Sequence, residues 1–598
     1  MSGRVVTSAL PLAPYAACIG DDLVRWAGEA PHRPFIRERA DGSTHSPWRS
    51  LTFGAALARA RGIGGALLEA GFSAEEPLAI VAENGIDHAV VALAALHVGV
   101  PIGPLSTGYA RADADPRRLQ TLLDVLRPKA VYAPDERVAA RIAAAVPAIP
   151  VIRDLARRNG DPARADAAFA RITPDTVAKI LFTSGSTGLP KGVITTQRMM
   201  CANQTMLAQA WPHVTRNPVL VDWMPWSHVA SGNKVFNLVL RHGGTLYVDA
   251  GRPLPGAFAT TVANLREIAP TVYFTVPRGY ALLAESLATD AELAQSFFSQ
   301  LRGLVNAGAS IPSDVRRQML WLSASTGGKT IPVISPYGAT ETAPMASAVW
   351  GDPQPDVESI GLPVPGVEIK LAPFEDRLEI CVRGPNVTPG YWRNAAATAA
   401  AFDEQGYYKT GDAGDFIDPD RPARGLVFRG RLAENFKLSS GTWVNVGAVR
   451  VALIEAGGGL VEDAVITGRD RDDLGALVFF GLERARQITG VLDGDRAALA
   501  AHPALRAAVG RVLAAHNEVY RSSTTRIAKA ILQTDGPDRS SGELTDKGTV
   551  NQRIALERRA ALVAALYELQ STLAVIAAPS LALEPNRYFR DPVPAPGP

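Results

Sequence analysis

The chain has little cysteine, no excess of either charge and no long unbroken apolar run, and each shortage closes off a class of function. Its three cysteines, Cys18, Cys201 and Cys381, stand far apart with no CxxC pair. Neither a zinc site nor a disulfide framework is indicated, and a reducing cytoplasm is the expected setting. A formal net charge of +2 removes the case for a strongly basic nucleic-acid binder. The first residues lack a basic stretch followed by an apolar core, so no signal peptide is expected. Apolar segments such as residues 89–100 are too short and too interrupted to span a bilayer. The expectation is a soluble cytoplasmic protein with no membrane or nucleic-acid partner. No coiled-coil heptad stands out, and no oligomeric state is assigned.

What is present is a globular composition, 47% hydrophobic and 20% charged, which argues against global disorder. A length of 598 residues exceeds what one hydrophobic core serves, so two or more domains are expected. Short apolar runs at residues 78–81, 130–132, 151–152, 180–182, 220–223, 245–248, 272–276 and 304–306 alternate with helical patterning, as at 51–70 and 86–97. This alternation predicts an α/β fold with largely parallel sheets, and its length predicts two packed α/β halves. Past residue 367, short alternating strands (368–371, 378–382) predict a small β-rich unit ending near 428. A boundary close to Arg431 divides the chain into residues 1–430 and 431–598. The second part is expected to hold strands at 464–466 and 476–480 and helices at 505–519 and 552–573. The proline-rich tail from Pro579 reads as a surface strap or a disordered end.

The densest chemical signal lies at residues 182–192. Thr183, Ser184, Ser186 and Thr187 supply hydroxyls, Gly185, Gly188 and Gly192 supply backbone freedom, and Lys191 supplies charge. Glycines let backbone N–H groups approach an anion closely, and successive N–H groups form an anion-binding concavity. The spacing is wrong for a Walker loop, which needs Gly, four residues, then Gly-Lys-Ser/Thr. A plain Ser/Gly linker has little reason to carry Pro190-Lys191-Gly192 between two apolar runs.

This run resembles the phosphate-binding loop of the adenylate-forming superfamily, which includes acyl-CoA synthetases, peptide-synthetase adenylation domains and luciferases. The resemblance implies a large N-terminal domain of two packed α/β subdomains plus a small β-rich subdomain, then a smaller mobile α+β C-terminal domain. It implies ATP and Mg²⁺ as cofactors and a small-molecule carboxylic acid as substrate. Pro336-Tyr337-Gly338-Ala339-Thr340-Glu341 looks like the superfamily's nucleotide turn. By that likeness Tyr337 and Gly338 flank adenine, Thr340 meets the α-phosphate region, and Glu341 with Thr183 holds Mg²⁺. A carboxylate suits this hard, oxygen-preferring cation. Tyr408-Lys409-Thr410-Gly411-Asp412 resembles the ribose motif, with Asp412 accepting from the ribose hydroxyls and Arg431 contacting the same sugar. Asn306-Ala307-Gly308-Ala309 resembles the backbone lining the adenine and acyl pocket.

Near the C-terminus, Gly542-Glu543-Leu544-Thr545-Asp546-Lys547-Gly548 resembles the segment carrying the lysine that swings in for adenylation. Lys547 is the candidate and Lys529 the competing position. The usual arginine three residues on is replaced by Arg553, six on, and the hinge position, commonly Asp or Lys, is Ala433. Lys437 and Gly441 fall in a segment, Lys437-Leu438-Ser439-Ser440-Gly441-Thr442-Trp443-Val444, that faces the thiolation tunnel in long-chain and aryl acyl-CoA synthetases. No carrier-attachment signature is present, so free coenzyme A is the expected acceptor.

Asp222-Trp223-Met224-Pro225-Trp226-Ser227-His228 and the run from Arg383 to Trp392 look like bacterial feruloyl-CoA synthetases. His228 matches the histidine bordering the acyl pocket and CoA tunnel there, a core histidine bonded to backbone being the competing reading. Val229-Ala230-Ser231-Gly232-Asn233-Lys234-Val235 departs from that subgroup. Ferulate, another hydroxycinnamate, a benzoate or an aliphatic acid therefore all stay open, as do a carrier-protein acceptor and a non-catalytic nucleotide-binding relative.

Overall fold

The computed structural model describes residues 4–112, 114–184, 190–213, 217–254, 256–308, 311–349, 359–538, 541–544, 550–568 and 575–578, the Ser184 side chain excepted. The tail from Pro579 lies outside them. The chain divides into two compact units, Met1–Leu432 and Ala433–Pro598.

The first unit is built on α/β sheets and one antiparallel sheet. A six-stranded sheet runs in the order Val151–Ile152, Ala130–Tyr132, Leu78–Val81, Ile102–Leu105, Val177–Ser184, Pro190–Thr196. All its pairs are parallel except the last. Strand Leu78–Val81 is buried along its length, as the central position of a two-sided sheet demands, and its four residues are all apolar. The Ala/Leu-rich helices Phe53–Glu69 and Ile86–His97 pack on each other. The former is capped by the Thr52 hydroxyl, which accepts the Ala55 N–H.

A second pair of sheets forms the other α/β half. Val219–Asp222 and Thr245–Val248 run parallel, joined by Pro34–Arg39 and then by antiparallel Trp48–Thr52. The three parallel strands Val272–Thr275, Gly303–Asn306 and Val333–Ile334 adjoin them, with the Thr271 N–H bonded to the Val219 carbonyl. The β-rich unit is larger than the sequence suggests. It is an eight-stranded sheet that recruits Arg4–Thr7 against Glu368–Phe374 and Pro336–Tyr337 at its far edge.

The second unit holds a four-stranded sheet ordered Val461–Thr467, Leu474–Phe480, Ile527–Leu532, Val575–Ala577. Its core is apolar and separate. The single helix expected over 552–573 is instead two, Gln552–Arg558 and Ala560–Tyr567. The break falls at Arg559, whose side chain turns inward to a buried carboxylate, Glu543.

Candidate active site

The hydroxyl- and glycine-rich run is carried by a β-hairpin. Strands Val177–Ser184 and Pro190–Thr196 pair so that Thr183 faces Lys191 and Ser184 faces Pro190. Gly185, Ser186, Thr187 and Gly188 lie outside the described residues. The hairpin base is fixed by distant backbone: the Trp392 N–H bonds the Gly192 carbonyl at 2.7 Å, and the Ile194 N–H bonds the Gly390 carbonyl at 3.1 Å. Gly192 has no room for a side chain, since a Cβ would press on Ile180 and Trp392.

The same tie brings the Glu341 turn to the hairpin. Strand Pro190–Thr196 packs against the short 3₁₀ turn Thr340–Thr342. Glu341 is buried at 7% exposure, and its backbone carbonyl accepts the Thr388 N–H at 2.8 Å. Tyr391 Oη donates to Glu341 Oε1 at 3.1 Å, while Lys191 Nζ lies 5.0 Å from the centroid of the Tyr391 ring. Tyr408 adjoins the same carboxylate, and burial together with the Glu341 charge pushes its pKa far up. Lysine, tyrosine and carboxylate thus form one chain from the hairpin to the turn. Gly338 is required in this turn, because a Cβ would run into the Pro344 carbonyl.

A second cluster stands beside it. Tyr337 Oη donates to Asp412 Oδ2 at 2.8 Å, and Arg431 Nε sits 3.0 Å from Asp412 Oδ1. Asp412 is 5% exposed, whereas the Arg431 side chain is half exposed and open to solvent. Asp412 and Arg431 face each other across adjacent antiparallel strands, which fixes their meeting by register. Burial, then the Asp412 charge, pushes the Tyr337 phenol well above its ordinary value, so it stays a donor.

His228 is half-buried, and its Nδ1 accepts the Ala230 N–H at 3.2 Å as the chain turns into the π-helical stretch Ala230–Val235. With Nδ1 accepting, the neutral ring carries its proton on Nε2. Gly308, at a positive φ of 86°, is exposed after strand Gly303–Asn306, and Ala309 lies outside the described residues.

In the second unit, Lys437 and Gly441 belong to a tight hairpin, Phe436–Lys437 with Trp443–Val444. Lys437 Nζ lies over the Trp443 ring at 4.8 Å, and Gly441 takes the turn at φ 79°. Lys547 lies outside the described residues, but the backbone on either side of it is anchored. Leu544 bridges Val550, the Asn551 N–H bonds the Glu543 carbonyl at 2.7 Å, and Arg559 grips the Glu543 carboxylate at 2.8 and 2.9 Å. Lys529 sits on strand Ile527–Leu532 with Nζ 4.7 Å from the Tyr567 ring centroid.

Sequence motifs single out Glu341, Lys191 and Asp412 but not Tyr391 or Asn203. Tyr391 is in plain view inside Gly390-Tyr391-Trp392, with only its partner hidden. Asn203, fully buried on helix Gln197–Ala210, donates from Nδ2 to the Met345 carbonyl at 2.8 Å and so steadies the loop after Glu341. Among the described residues no group of three or more His, Cys, Asp or Glu side chains could enclose a metal ion. A lone buried carboxylate fits Mg²⁺ that takes its remaining ligands from phosphate and water. No helix among the described residues is long and apolar enough to cross a membrane.

Comparison with known proteins bears on this geometry. A family model described as AMP-binding enzyme matches residues 23–392, and one described as AMP-binding enzyme C-terminal domain matches residues 436–571. A CoA ligase of Rhodococcus jostii acting on a methyl-dioxo-octahydroindenyl propanoyl group is 29% identical over 309 residues, 51% of this chain and 55% of that protein. A malonate–CoA ligase of Arabidopsis thaliana is 31% identical over 41% of each chain. The chain thus spans about half the length, or less, of these curated relatives. A long-chain-fatty-acid–CoA ligase of Mycobacterium bovis is 24% identical over 87% of this chain and 92% of its own. In fold, ATP-bound MatB from Rhodopseudomonas palustris superposes with a TM-score of 0.67 at 22% identity, covering 91% of this chain and 99% of that one. The adenylation domain of a carboxylate reductase from Mycobacterium chelonae gives 0.70 at 21%, covering 92% and 91%. With the first family model alone spanning more than half of its length, the chain belongs to the AMP-binding enzyme family.

Proposed function

We propose that this protein is an ATP-dependent acid–thiol ligase. A carboxylate oxygen attacks the α-phosphorus of ATP, the bond to the β-phosphate oxygen breaks, and pyrophosphate leaves. The thiol of coenzyme A then attacks the acyl carbonyl, releasing AMP and an acyl thioester. The observation that carries this reading is the pair of clusters on one unit, Lys191–Tyr391–Glu341 and Tyr337–Asp412–Arg431.

Their chemistry suits the first step, in which positioning and charge neutralisation do most of the work. Lys191 and the hairpin meet the phosphates, with Thr183 across the strand from that lysine. Asp412 accepts from ribose hydroxyls, Arg431 closes over the sugar, and the Tyr337 ring flanks adenine. Mg²⁺ would be held by Glu341 with Thr183 and, when bound, neutralises triphosphate charge. Thr340 and Gly338 shape the turn near the α-phosphate, and Gly308 and Ala309 line the adjoining pocket. Lys547 supplies the cation that adenylation needs at the carboxylate, and Lys437 and Gly441 serve the thiol step. His228 borders the acid. Coenzyme A as acceptor is supported by the activities of the relatives, all CoA ligases. The aromatic, feruloyl-type acid rests on the motifs around His228 and residues 383–392.

The test is acid-dependent pyrophosphate release across a panel of aromatic and aliphatic acids, with AMP formed stoichiometrically and a thioester detected. ADP as product would overturn the reading. Lys547→Ala is expected to abolish adenylation and largely spare thiolysis of supplied acyl-adenylate. Normal adenylation by this variant would remove Lys547 from its role.

A further inference from the structure

One cleft of the first unit shares no residue with the two clusters above, and its chemistry is basic. It measures about 480 Å³ and runs between helix Phe53–Glu69 and the 3₁₀ turn Leu155–Arg157. Arg59, Ile63, Ala156, Arg157, Arg158 and Asn159 line it, so three of its side chains are cationic and none is acidic. Its walls are pre-set. A Cβ on Gly65 would fall 2.4 Å from the Asp161 carbonyl oxygen, and the Gly160 N–H bonds the Gly62 carbonyl at 2.8 Å, so glycine is what lets this loop lie on the helix.

The three arginines differ in how far they are engaged. Arg59 is fixed, donating from Nη2 to the Ala156 carbonyl at 3.1 Å and to Asp87 Oδ1 at 3.0 Å. Arg158 donates to Asp154 Oδ1 at 2.9 Å, but both side chains are exposed and such a surface pair is held weakly. Arg157, exposed as well, gives Asp154 no hydrogen bond and acts on it through charge alone. Two of the three guanidinium groups are therefore able to turn to a ligand.

A second observation asks for an acceptor at the same place. Tyr132 ends strand Ala130–Tyr132 and is fully buried, and its Oη has no hydrogen-bond partner among the described residues. The charges of Asp87, Arg59 and Arg157 all bear on it, which puts the phenol on the inner side of the cleft. Burial pushes its pKa up, so it keeps its proton and stands as a donor without an acceptor. Sheet topology agrees. Ile102–Leu105 lies on one side of Leu78–Val81 and Ala130–Tyr132 on the other, so the winding reverses between the last strand and Leu78–Val81. Open α/β sheets take ligands beyond the strand ends at such a switch point. Tyr132 closes one of its strands, and Asp87 stands in the first turn of the helix after the other.

We propose that this cleft binds the phosphate of a small phosphate monoester, with Arg157 and Arg158 on its oxygens, Tyr132 donating to it from the inner side, and the body of the ligand on Ala58, Ile63 and Ala156. A guanidinium fork matches two phosphate oxygens at once, and a dianion offsets the charge of arginines that the two aspartates leave unbalanced. The site goes beyond the ligase reading and does not depend on it.

The experiment titrates the full chain with phenyl phosphate, inorganic phosphate and acetate. Calorimetry reads the affinity, and hydrogen exchange at the amides of residues 153–160 reads the place. Both phosphates are expected to slow exchange there, phenyl phosphate binding the more tightly, and acetate to leave it unchanged. Arg157→Gln combined with Arg158→Gln should weaken this binding about tenfold or more, as the loss of charge-assisted hydrogen bonds requires. Tyr132→Phe should weaken it roughly tenfold, yet leave Tm without ligand level or higher, because it removes a buried donor that has no partner. A phenol with a purely structural role would lower Tm instead. No slowing by either phosphate, equal slowing by acetate, or a response that survives the arginine substitutions would overturn the proposal. Protection confined to strands Val177–Ser184 and Pro190–Thr196 would overturn it as well and place the phosphate at the hairpin. So would a Tyr132→Phe chain that binds as tightly as the parent or melts below it.

Discussion

Arg559→Met should loosen the second unit by about 3–5 kcal/mol, the range seen when one partner of a buried ion pair is removed. The Arg559 side chain is 7% exposed and that of Glu543 1%. Nε donates to Oε1 at 2.8 Å and Nη2 to Oε2 at 2.9 Å, a two-pronged match. Nη1 also donates to the buried Gln533 Oε1 at 2.7 Å. Asp535 contributes little, since its side chain is 68% exposed. Arg558, 3.7 Å from the same Glu543 oxygen but half exposed, offsets only part of the loss. Methionine fills the apolar stem volume, so the cost is chiefly that of stranding a carboxylate. The assay is hydrogen exchange at the amides of strand Ile527–Leu532, at the centre of this unit's sheet. Their protection should fall by roughly two to three and a half decades. Adding Glu543→Met should restore most of it, because two apolar side chains leave no orphan charge. A loss under about 1 kcal/mol, or a double variant as weak as the single one, would refute the reasoning.

Three further outcomes are expected. Asp412→Ala should weaken ATP binding roughly 10- to 100-fold by calorimetry, the worth of about 1.5–3 kcal/mol for hydrogen bonds to a charged group. An unchanged affinity would sever Asp412 from the ribose. Tyr391→Phe keeps the ring near Lys191 but withdraws the donor from Glu341. It should raise the Mg²⁺ concentration needed for half-maximal pyrophosphate release several-fold, and unchanged metal dependence would count against the Glu341 assignment. Asp222→Asn tests buried charge by pH. Burial raises the Asp222 pKa from 3.8 to about 7, so the folded state holds that proton more tightly than the unfolded chain. Its stabilising contribution is complete below about pH 4 and lost as pH rises through about 7. The asparagine variant should therefore gain on the parent in Tm between about pH 4 and 7, then run level with a fixed offset at higher pH. A difference that does not change with pH would show that Asp222 is not titrating.

Local pattern makes much of the first unit legible. The apolar runs at 78–81 and 130–132 are strands, and residues 86–97 form a helix with the bounds that their periodicity predicts. Residues 336–341 and 408–412 are readable as motifs; sheet register brings Asp412 and Arg431 into contact, and the Tyr337 hydroxyl reaches the same carboxylate through its side chain. What stays hidden is non-local. Strand Arg4–Thr7 finds its partner, Glu368–Phe374, more than 360 residues later, which no window of sequence displays. Arg559 sits inside an Ala/Leu-rich stretch whose helical period is unbroken, so only its buried partner Glu543 explains the interruption. Lys179 interrupts an apolar run as any edge lysine would, and its full burial depends on the π-helical stretch some fifty residues on.

Helix Gln197–Ala210 places Asn203 and Gln204 in succession, one holding the Met345 carbonyl in the loop after Glu341 and the other the Asn233 carbonyl in the π-helical stretch. Adjacent residues on a helix point about 100° apart, so the two grips lie on different faces of one rigid rod. A shift of that rod would therefore move the loop after Glu341 and the stretch from Ala230 to Val235 together. Such a layout couples two segments that lie more than a hundred residues apart in the chain.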